Sequence, residues 1–328
     1  MTRAMAGPGT LSRRAFAAVA ATALAAPGAR AAPLPDRPVR MLCPWSPGGT
    51  ADLYTRGVSP IIARHLGQSF IVENRGGASG SVGTAYLRNQ RPDGSVIATV
   101  TEAVFRIALV QPVGYDPLQD FTFLAGGAAL VWGWAVPRAS PIRDLRDLVE
   151  RGRARPGSLS YAAGGTAANP PLGMKVLEHR TGAGFLFVPY AGGGEMINAA
   201  MSGTVDVVFD SVGAVAGMVD GGEMRLLAVA AEERFPRWPA VPTAREAGFD
   251  VLHALPPGFI APRGLPPDLA ALFERAMLAS VDDPEHAQLV QRLNLAPWRR
   301  DAAAYAAHLR DLFQTLPPLL RALGMLPA

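Results

Sequence analysis

The stretch Pro44-Trp45-Ser46-Pro47-Gly48-Gly49-Thr50-Ala51-Asp52 gathers two glycines, two hydroxyls and a carboxylate at one corner of the chain. A short apolar run, Val39 to Cys43, precedes it, and a helical pattern over residues 53–66 follows. Glycines at such a corner let bare backbone N–H groups face open space. The first N–H groups of a helix lack internal partners and carry the positive end of its dipole. A corner of this kind suits a carboxylate or phosphate. It also suits an ordinary capped turn, so the chemistry depends on what accompanies it.

Two similar corners follow. Asn74-Arg75-Gly76-Gly77-Ala78-Ser79-Gly80-Ser81-Val82-Gly83 lies between a strand pattern at 70–73 and a helix through Leu87. Gly164-Gly165-Thr166-Ala167-Ala168-Asn169-Pro170-Pro171 lies between a strand pattern at 159–163 and a helix at 172–181. Strand patterns at 96–100, 123–126, 132–136, 186–189, 205–209 and 226–230 alternate with helical ones, which predicts α/β layers. The character shifts near 121–137, and the chain returns through 258–262. Two lobes are therefore expected. In open α/β sheets, ligands bind beyond the carboxyl ends of strands. Helix starts from both lobes would then meet a small anion in a cleft.

The amino terminus reads as an address. Ser12-Arg13-Arg14-Ala15-Phe16 is a twin-arginine pattern, residues 17–26 are a short Ala-rich run, and Ala29-Arg30-Ala31 is an A-x-A cleavage site. The run is shorter than the roughly 20 residues a bilayer needs; an Ala-rich amino-terminal helix is the alternative. Residues 1–31 hold Arg3, Arg13, Arg14 and Arg30 and no acid, so the formal +4 of the whole chain falls to zero beyond them. The remainder has no basic cluster suited to nucleic acid, and pairs such as Arg299-Arg300 read as solvated surface. Cys43 is the single cysteine, which excludes an intrachain disulfide. A soluble protein outside the cytoplasm is expected.

Catalytic signatures are missing. There is no G-x-S-x-G, H-E-x-x-H or G-x-G-x-x-G, and the only lysine, Lys175, falls in a helical pattern rather than a P-loop. His65, His179, His253, His286 and His308 are scattered and read as surface or core histidines. No catalytic residue, metal ligand or cofactor is expected.

Six blocks together resemble the extracytoplasmic solute receptors of the tripartite tricarboxylate transporters, also called Bug receptors. The first is Pro44 to Asp52 with Arg56, like that family's P-x-x-P-G-G-x-x-D-x-x-A-R. The others are Val72-Glu73-Asn74-Arg75-Gly76-Gly77-Ala78-Ser79-Gly80 with Gly83; Tyr115-Asp116-Pro117 leading to Asp120-Phe121; and Pro156-Gly157-Ser158-Leu159-Ser160-Tyr161 with Gly164. Val188-Pro189-Tyr190 with Gly192-Gly193 and Gly203-Thr204-Val205-Asp206 is the fifth. The last is Arg225-Leu226-Leu227-Ala228-Val229 with Arg234, Pro239, Val241-Pro242-Thr243 and Glu246-Ala247-Gly248. The resemblance implies an α/β, two-lobed periplasmic binding protein, type II-like. Lobe one would be 32–125 plus 254–328, and lobe two 126–253. It implies a monomer that takes a small carboxylate and delivers it to the membrane permease subunits of a tripartite tricarboxylate transporter. A sensor that signals to a membrane kinase, or a secreted α/β enzyme, are the other classes. The chain departs from the family pattern at Gly76, Ala191 and Pro256-Pro257, and most in the third turn, where Pro170-Pro171 stand for the usual His-Leu.

The candidate ligand residues follow from these corners. Trp45, Ser46, Gly48, Gly49, Thr50 and Ala51 would offer backbone N–H groups to a carboxylate, with Thr50 capping the helix. Asp52 either stabilises the first helical turn and pairs with Arg56, or accepts from a ligand ammonium or hydroxyl. Trp45 either covers the cleft mouth or packs in the core. Gly80 in the second turn and Thr101, just past the strand at 96–100, complete lobe one's set. From lobe two, Thr166, Ala167 and Asn169 would meet the far end of the ligand, Asn169 standing in for the missing histidine. Asp210 either faces the cleft or caps the helix before Ala214.

Overall fold

A computed structural model describes residues 34, 36–164, 171–190 and 193–326. The export signal expected over 1–31 lies outside the described residues, as do Thr166, Ala167 and Asn169.

The described chain begins with β1 (Val39–Cys43), α1 (Thr50–Leu66), β2 (Phe70–Asn74), α2 (Ser81–Arg88), β3 (Val96–Thr101) and α3 (Ala103–Val110). Next come β4 (Phe121–Pro137), α4 (Leu145–Ala154), β5 (Ser160–Gly164), α5 (Leu172–Thr181), β6 (Leu186–Tyr190), α6 (Gly193–Met201), β7 (Val207–Ser211), α7 (Val212–Asp220) and β8 (Met224–Val229). The chain returns through β9 (Ala254–Leu255) and β10 (Pro257–Pro262), and finishes with α8 (Pro267–Val281), α9 (Pro284–Arg292), β11 (Ala296–Asp301) and α10 (Ala302–Ala322). Local chemistry sets several of these bounds. Gly67, in the left-handed region, ends α1 with its N–H on the Ala63 carbonyl. Asp301 starts α10 by accepting the Ala304 N–H at 2.7 Å.

The sheet runs β2-β1-β3-β10-β4-β7-β5-β6. β1 lies parallel between β2 and β3, and β10 runs antiparallel between β3 and β4. Beyond β4, β7 pairs antiparallel with it and β5 and β6 continue in parallel. β3 and β10 are buried at every described position, as strands covered on both faces must be.

β4 is shared by two α/β halves. Its first residues pair with β10 and β11, Leu130 and Val131 pair with β9, and its last residues pair with β7 and β8. On one side lies a core around Leu42, Val100, Phe105, Tyr115, Ile260, Tyr305 and Leu309. On the other lie two cores, one around Trp134, Tyr161 and Phe209, the other around Val131, Val208 and Val212. Helix α10 reaches both halves: Tyr305 and Leu309 sit in the first core, while Leu319 and Leu323 pack on the Trp134 core.

The sequence pattern predicts two strands within 121–137, interrupted near Gly126-Gly127. The structure makes one. The glycines do not break the strand because their bare faces are covered by aromatic groups. A Cβ at Gly126 would collide with the Trp298 ring, and one at Gly127 with the Tyr54 hydroxyl. Trp298 arrives on β11, whose Arg299 and Arg300 are exposed, as their charge implies. Arg299 is exposed and paired with Asp282 at 2.7 Å, but its strand is built into the sheet. Tyr54 is fully buried and shares a 3.0 Å hydrogen bond with His286. Gly127→Ala should therefore destabilise the protein by about 1–3 kcal/mol, the usual cost of overpacking. Urea unfolding of the two chains checks this; an unchanged midpoint would mean that Tyr54 yields without cost.

Candidate functional site

The first corner is held together from inside. The cap of α1 is Gly49, which makes no side-chain cap hydrogen bond, and Thr50 is the first helical residue. The expected capping by Thr50 is thus corrected. The work falls to Asp52, whose Oδ2 accepts the Gly48 N–H at 2.9 Å. Its Oδ1 accepts from Asn74 Nδ2 at 2.7 Å and from Arg56 Nε at 3.0 Å. Burial alone would raise this carboxyl's pKa. The Gly48 N–H, the Asn74 amide and the Arg56 guanidinium outweigh burial and hold it below the usual range. Asn74 Nδ2 also donates to the Trp45 carbonyl at 3.0 Å, so the second corner is tied to the first. Ser46, Gly48 and Gly49 are exposed, and Thr50 and Ala51 partly so. Since Gly48 gives its N–H to Asp52, it has none left for an anion.

The second corner is a run of left-handed backbone: Gly77, Ala78, Ser79 and Gly80 have φ of 129°, 45°, 55° and 87°. Ala78 and Ser79 carry side chains in a region most residues avoid, a strain that recurs at ligand sites. Gly80 is required where it stands. A Cβ there would meet Val104 and sit 3.2 Å from the Trp45 ring. Thr101 is buried at the end of β3 with its hydroxyl unpartnered.

The strand ends and helix starts enclose a cavity of about 270 Å³. Trp45 and Ser79 reach it from the first two corners, and α3 contributes Ala103, Arg106, Ile107 and Val110. Trp132 enters from β4, with His253 and Leu255 beside it on the returning chain. Gly164, Pro171 and Leu172, which flank the third corner, form another wall. Leu316, Leu320 and Met325 close it from the carboxyl-terminal segment. The cavity therefore touches parts of both halves and the helix that spans them. Of the residues singled out from sequence, Trp45 borders it. Ser46, Gly48, Gly49, Thr50, Ala51, Asp52, Gly80, Thr101 and Asp210 are not in its wall.

Apart from Trp45, the wall residues were not among the sequence candidates, and Arg106, Trp132 and His253 carry most of its polar chemistry. Arg106 is the only charged side chain among the described wall residues. It is largely buried, at 19% exposure, and its Nε–H has no hydrogen-bond partner among the described residues. Glu102 lies 3.8 Å from that Nε, too far to bond it, while its other oxygen meets His308 Nε2 at 2.8 Å. Burial pulls the Arg106 pKa below its ordinary value, against the pull of Glu102. Burial, with the Arg106 charge added, pulls His253 well below the usual imidazole range, so its ring is neutral. That ring stands edge-on to Trp132, 4.9 Å between centroids. His253 Nδ1, Trp132 Nε1 and Trp45 Nε1 are also buried without partners. Among the described residues, four polar atoms of wall side chains are thus unpaired, where native interiors leave few. One sequence signal was available: Ala-Val-Phe-Arg106-Ile-Ala-Leu-Val sets a guanidinium in the middle of an apolar helix.

Asp210 lies on β7 opposite Gly133. Its Oδ1 accepts the Ser211 N–H at 2.7 Å, and its other oxygen faces Gly193 at the start of α6. Helix α7 begins at Val212 with Ser211 as its cap, so the alternative of Asp210 capping that helix is corrected. Burial raises the Asp210 carboxyl to about 6, partly offset by the Ser211 N–H. The unfolded chain's value is near about 3.9. The folded state then holds the proton more tightly, so this group's contribution is full below about pH 4 and is lost as pH rises through about 6. Asp210→Asn should remove that loss, gaining about 3 kcal/mol at neutral pH and almost nothing near pH 4. Urea midpoints of both chains at the two pH values measure it; a gain equal at both would sink the assignment.

Comparison with known proteins gives this geometry a lineage. Residues 55–325 match the tripartite tricarboxylate transporter family receptor, TctC. The chain is 30% identical over 314 residues to the UPF0065 protein in gbd 5'region of Cupriavidus necator, covering 95% of this chain and 96% of that one. It is 28% identical over 263 residues to protein BugT of Bordetella pertussis, covering 78% and 80%. Among solved structures, R. palustris Rpa4515 with adipate superposes with a TM-score of 0.78 at 26% identity, over 88% of this chain and 98% of that chain. The fold is that of the periplasmic solute-binding proteins, and the chain belongs to the tripartite tricarboxylate transporter family of receptors, the Bug receptors.

Proposed function

We propose that the protein is a periplasmic receptor that captures a small carboxylate between two lobes and hands it to the permease subunits of a tripartite tricarboxylate transporter. One observation carries the ligand chemistry: a largely buried cavity wall with Arg106 as its only charged side chain among the described residues. A largely buried arginine whose Nε–H has no partner among the described residues favours an anion. The adipate in the Rpa4515 structure agrees in class. Lobe one is 32–125 plus 254–328 and lobe two is 126–253, with β4 and the β9–β10 return as the paired crossings. The receptor is a monomer, exported by its twin-arginine signal, and it catalyses nothing. Ligand that touches both lobes selects their closed arrangement.

Thermal-shift measurements on the chain lacking residues 1–31, against small carboxylates, sugars and divalent metals, test this. At a hundredfold excess over Kd a ligand stabilises by about 2.7 kcal/mol. For a chain of this size that raises Tm by roughly 5 °C. A shift of that order with at least one carboxylate is expected. No carboxylate response beside a response to a sugar or metal would overturn the proposal.

A further inference from the structure

We propose that α10 is a jointed strap: its first turns are fixed to lobe one, its last turns ride with lobe two, and Pro317-Pro318 is the joint at which it bends when the lobes move. This device rests on the two-lobe receptor reading and adds a moving part to it.

The two ends of the helix are anchored in different bodies. Tyr305 and Leu309 lie in the core of the first half, and Leu312 and Phe313 pack against it. Leu319 and Leu323 pack instead on the Trp134 core of the second half. Ala322 and Leu323 also line a groove with Gly157, Lys175 and Phe185, which belong to that same half. A rod held in two bodies has three choices when they turn relative to each other. It slides, it leaves one anchor, or it bends. Sliding and detachment both uncover leucines and return apolar area to water. Bending uncovers none.

The sequence makes bending cheapest at one place. Proline has no N–H to give to the carbonyl four residues back, and its ring crowds that carbonyl. Pro317 and Pro318, inside α10, therefore leave the Phe313 and Gln314 carbonyls without their usual helical donors. Two consecutive rungs of the ladder are missing where the helix passes from one core to the other. Sharp helix bends occur where such rungs are lost. Position matters as much as residue type. Pro60 also lies inside a helix, but β1, β2, β3, α8 and α9, on which α1 packs, all belong to the first half. A weak point there has no relative motion to absorb.

The joint also divides a wall of the 270 Å³ cavity. Leu316 precedes it, while Leu320 and Met325 follow it. When lobe two moves, Leu320 and Met325 go with it and Leu316 stays. This side of the cavity changes shape with the lobes.

Pulsed EPR distances on the ligand-free, spin-labelled protein test the joint. Labels are attached in pairs through Ile71→Cys on β2, Leu186→Cys on β6 and Arg321→Cys on α10. All three positions are exposed, β2 and β6 are the two ends of the sheet path, and the native Cys43 is buried. The 186–321 distances should form a narrow distribution. The 71–186 and 71–321 distributions should each be at least about twice as broad, as motion between two bodies requires. Leu323→Ser loosens the anchor and should broaden 186–321. Pro317→Ala together with Pro318→Ala restores both N–H groups; the stiffened helix should either narrow 71–186 by bracing the lobes or broaden 186–321 by leaving one. Pro318→Ala alone, which restores one rung, should give a smaller change in the same direction. Widths that ignore the double substitution, or a narrow 71–321 beside a broad 186–321, would overturn the joint and leave the two-lobe receptor standing. A 71–186 distribution as narrow as 186–321 would mean that the lobes do not move, and would overturn both.

Discussion

The whole architecture depends on β4 serving two sets of partners along one continuous strand. Its seventeen residues pair first with β10 and β11, then with β9, then with β7 and β8. Such a strand has little freedom. A slip of one residue would turn Trp132 and Trp134, which pack on the same core, to the other face and break the register on both sides at once. Glycines at 126 and 127 admit Trp298 and Tyr54 against its backbone, which a side chain there would forbid. Trp132 emerges just past the β4–β9 pairing, and His253 and Leu255 sit on the facing return. The cavity is thus built at the place where the chain passes between halves.

That placement has an electrostatic consequence. The cavity holds one guanidinium, a neutral imidazole and two indoles, with four of their polar atoms unpaired. Each unpaired buried group costs on the order of 1–3 kcal/mol. The surrounding cores offset that cost, and α10, fixed in one core by Tyr305 and Leu309 and on another by Leu319 and Leu323, keeps the walls together.

Much of the fold was legible in the sequence because it rests on local patterns. Strands β1, β2 and β3 and helices α5, α7 and α9 follow from apolar periodicity and from Gly and Pro at their ends. Elements that depend on distant partners were harder to read. β4 looked like two strands because the aromatic groups that cover Gly126 and Gly127 come from β11 and α1. β11 itself looked like solvent-facing charge, since Arg299 and Arg300 flank a tryptophan whose destination lies about 170 residues earlier in the chain. The site divides in the same way. The Gly-rich corners announce themselves through spacing. His253 and Trp132 are 121 positions apart and meet only through the β4–β9 crossing. Arg106 alone left a local trace, a cation within an apolar helix.

The first corner retains its importance under this reading, though its part changes. Its carboxylate, Asp52, spends its oxygens on the Gly48 N–H, Asn74 and Arg56. Asn74 in turn fixes the Trp45 carbonyl. Trp45 is then pressed between Gly80 and the cavity, where its indole N–H is left free to donate. A Gly-Gly corner followed by an acid at the third helical position is therefore as much a device for setting a tryptophan as for binding an anion directly. The distinction matters physically. Backbone N–H groups would accept any small anion that fits, whereas a fixed indole sets the shape and apolar character of one wall of the cavity.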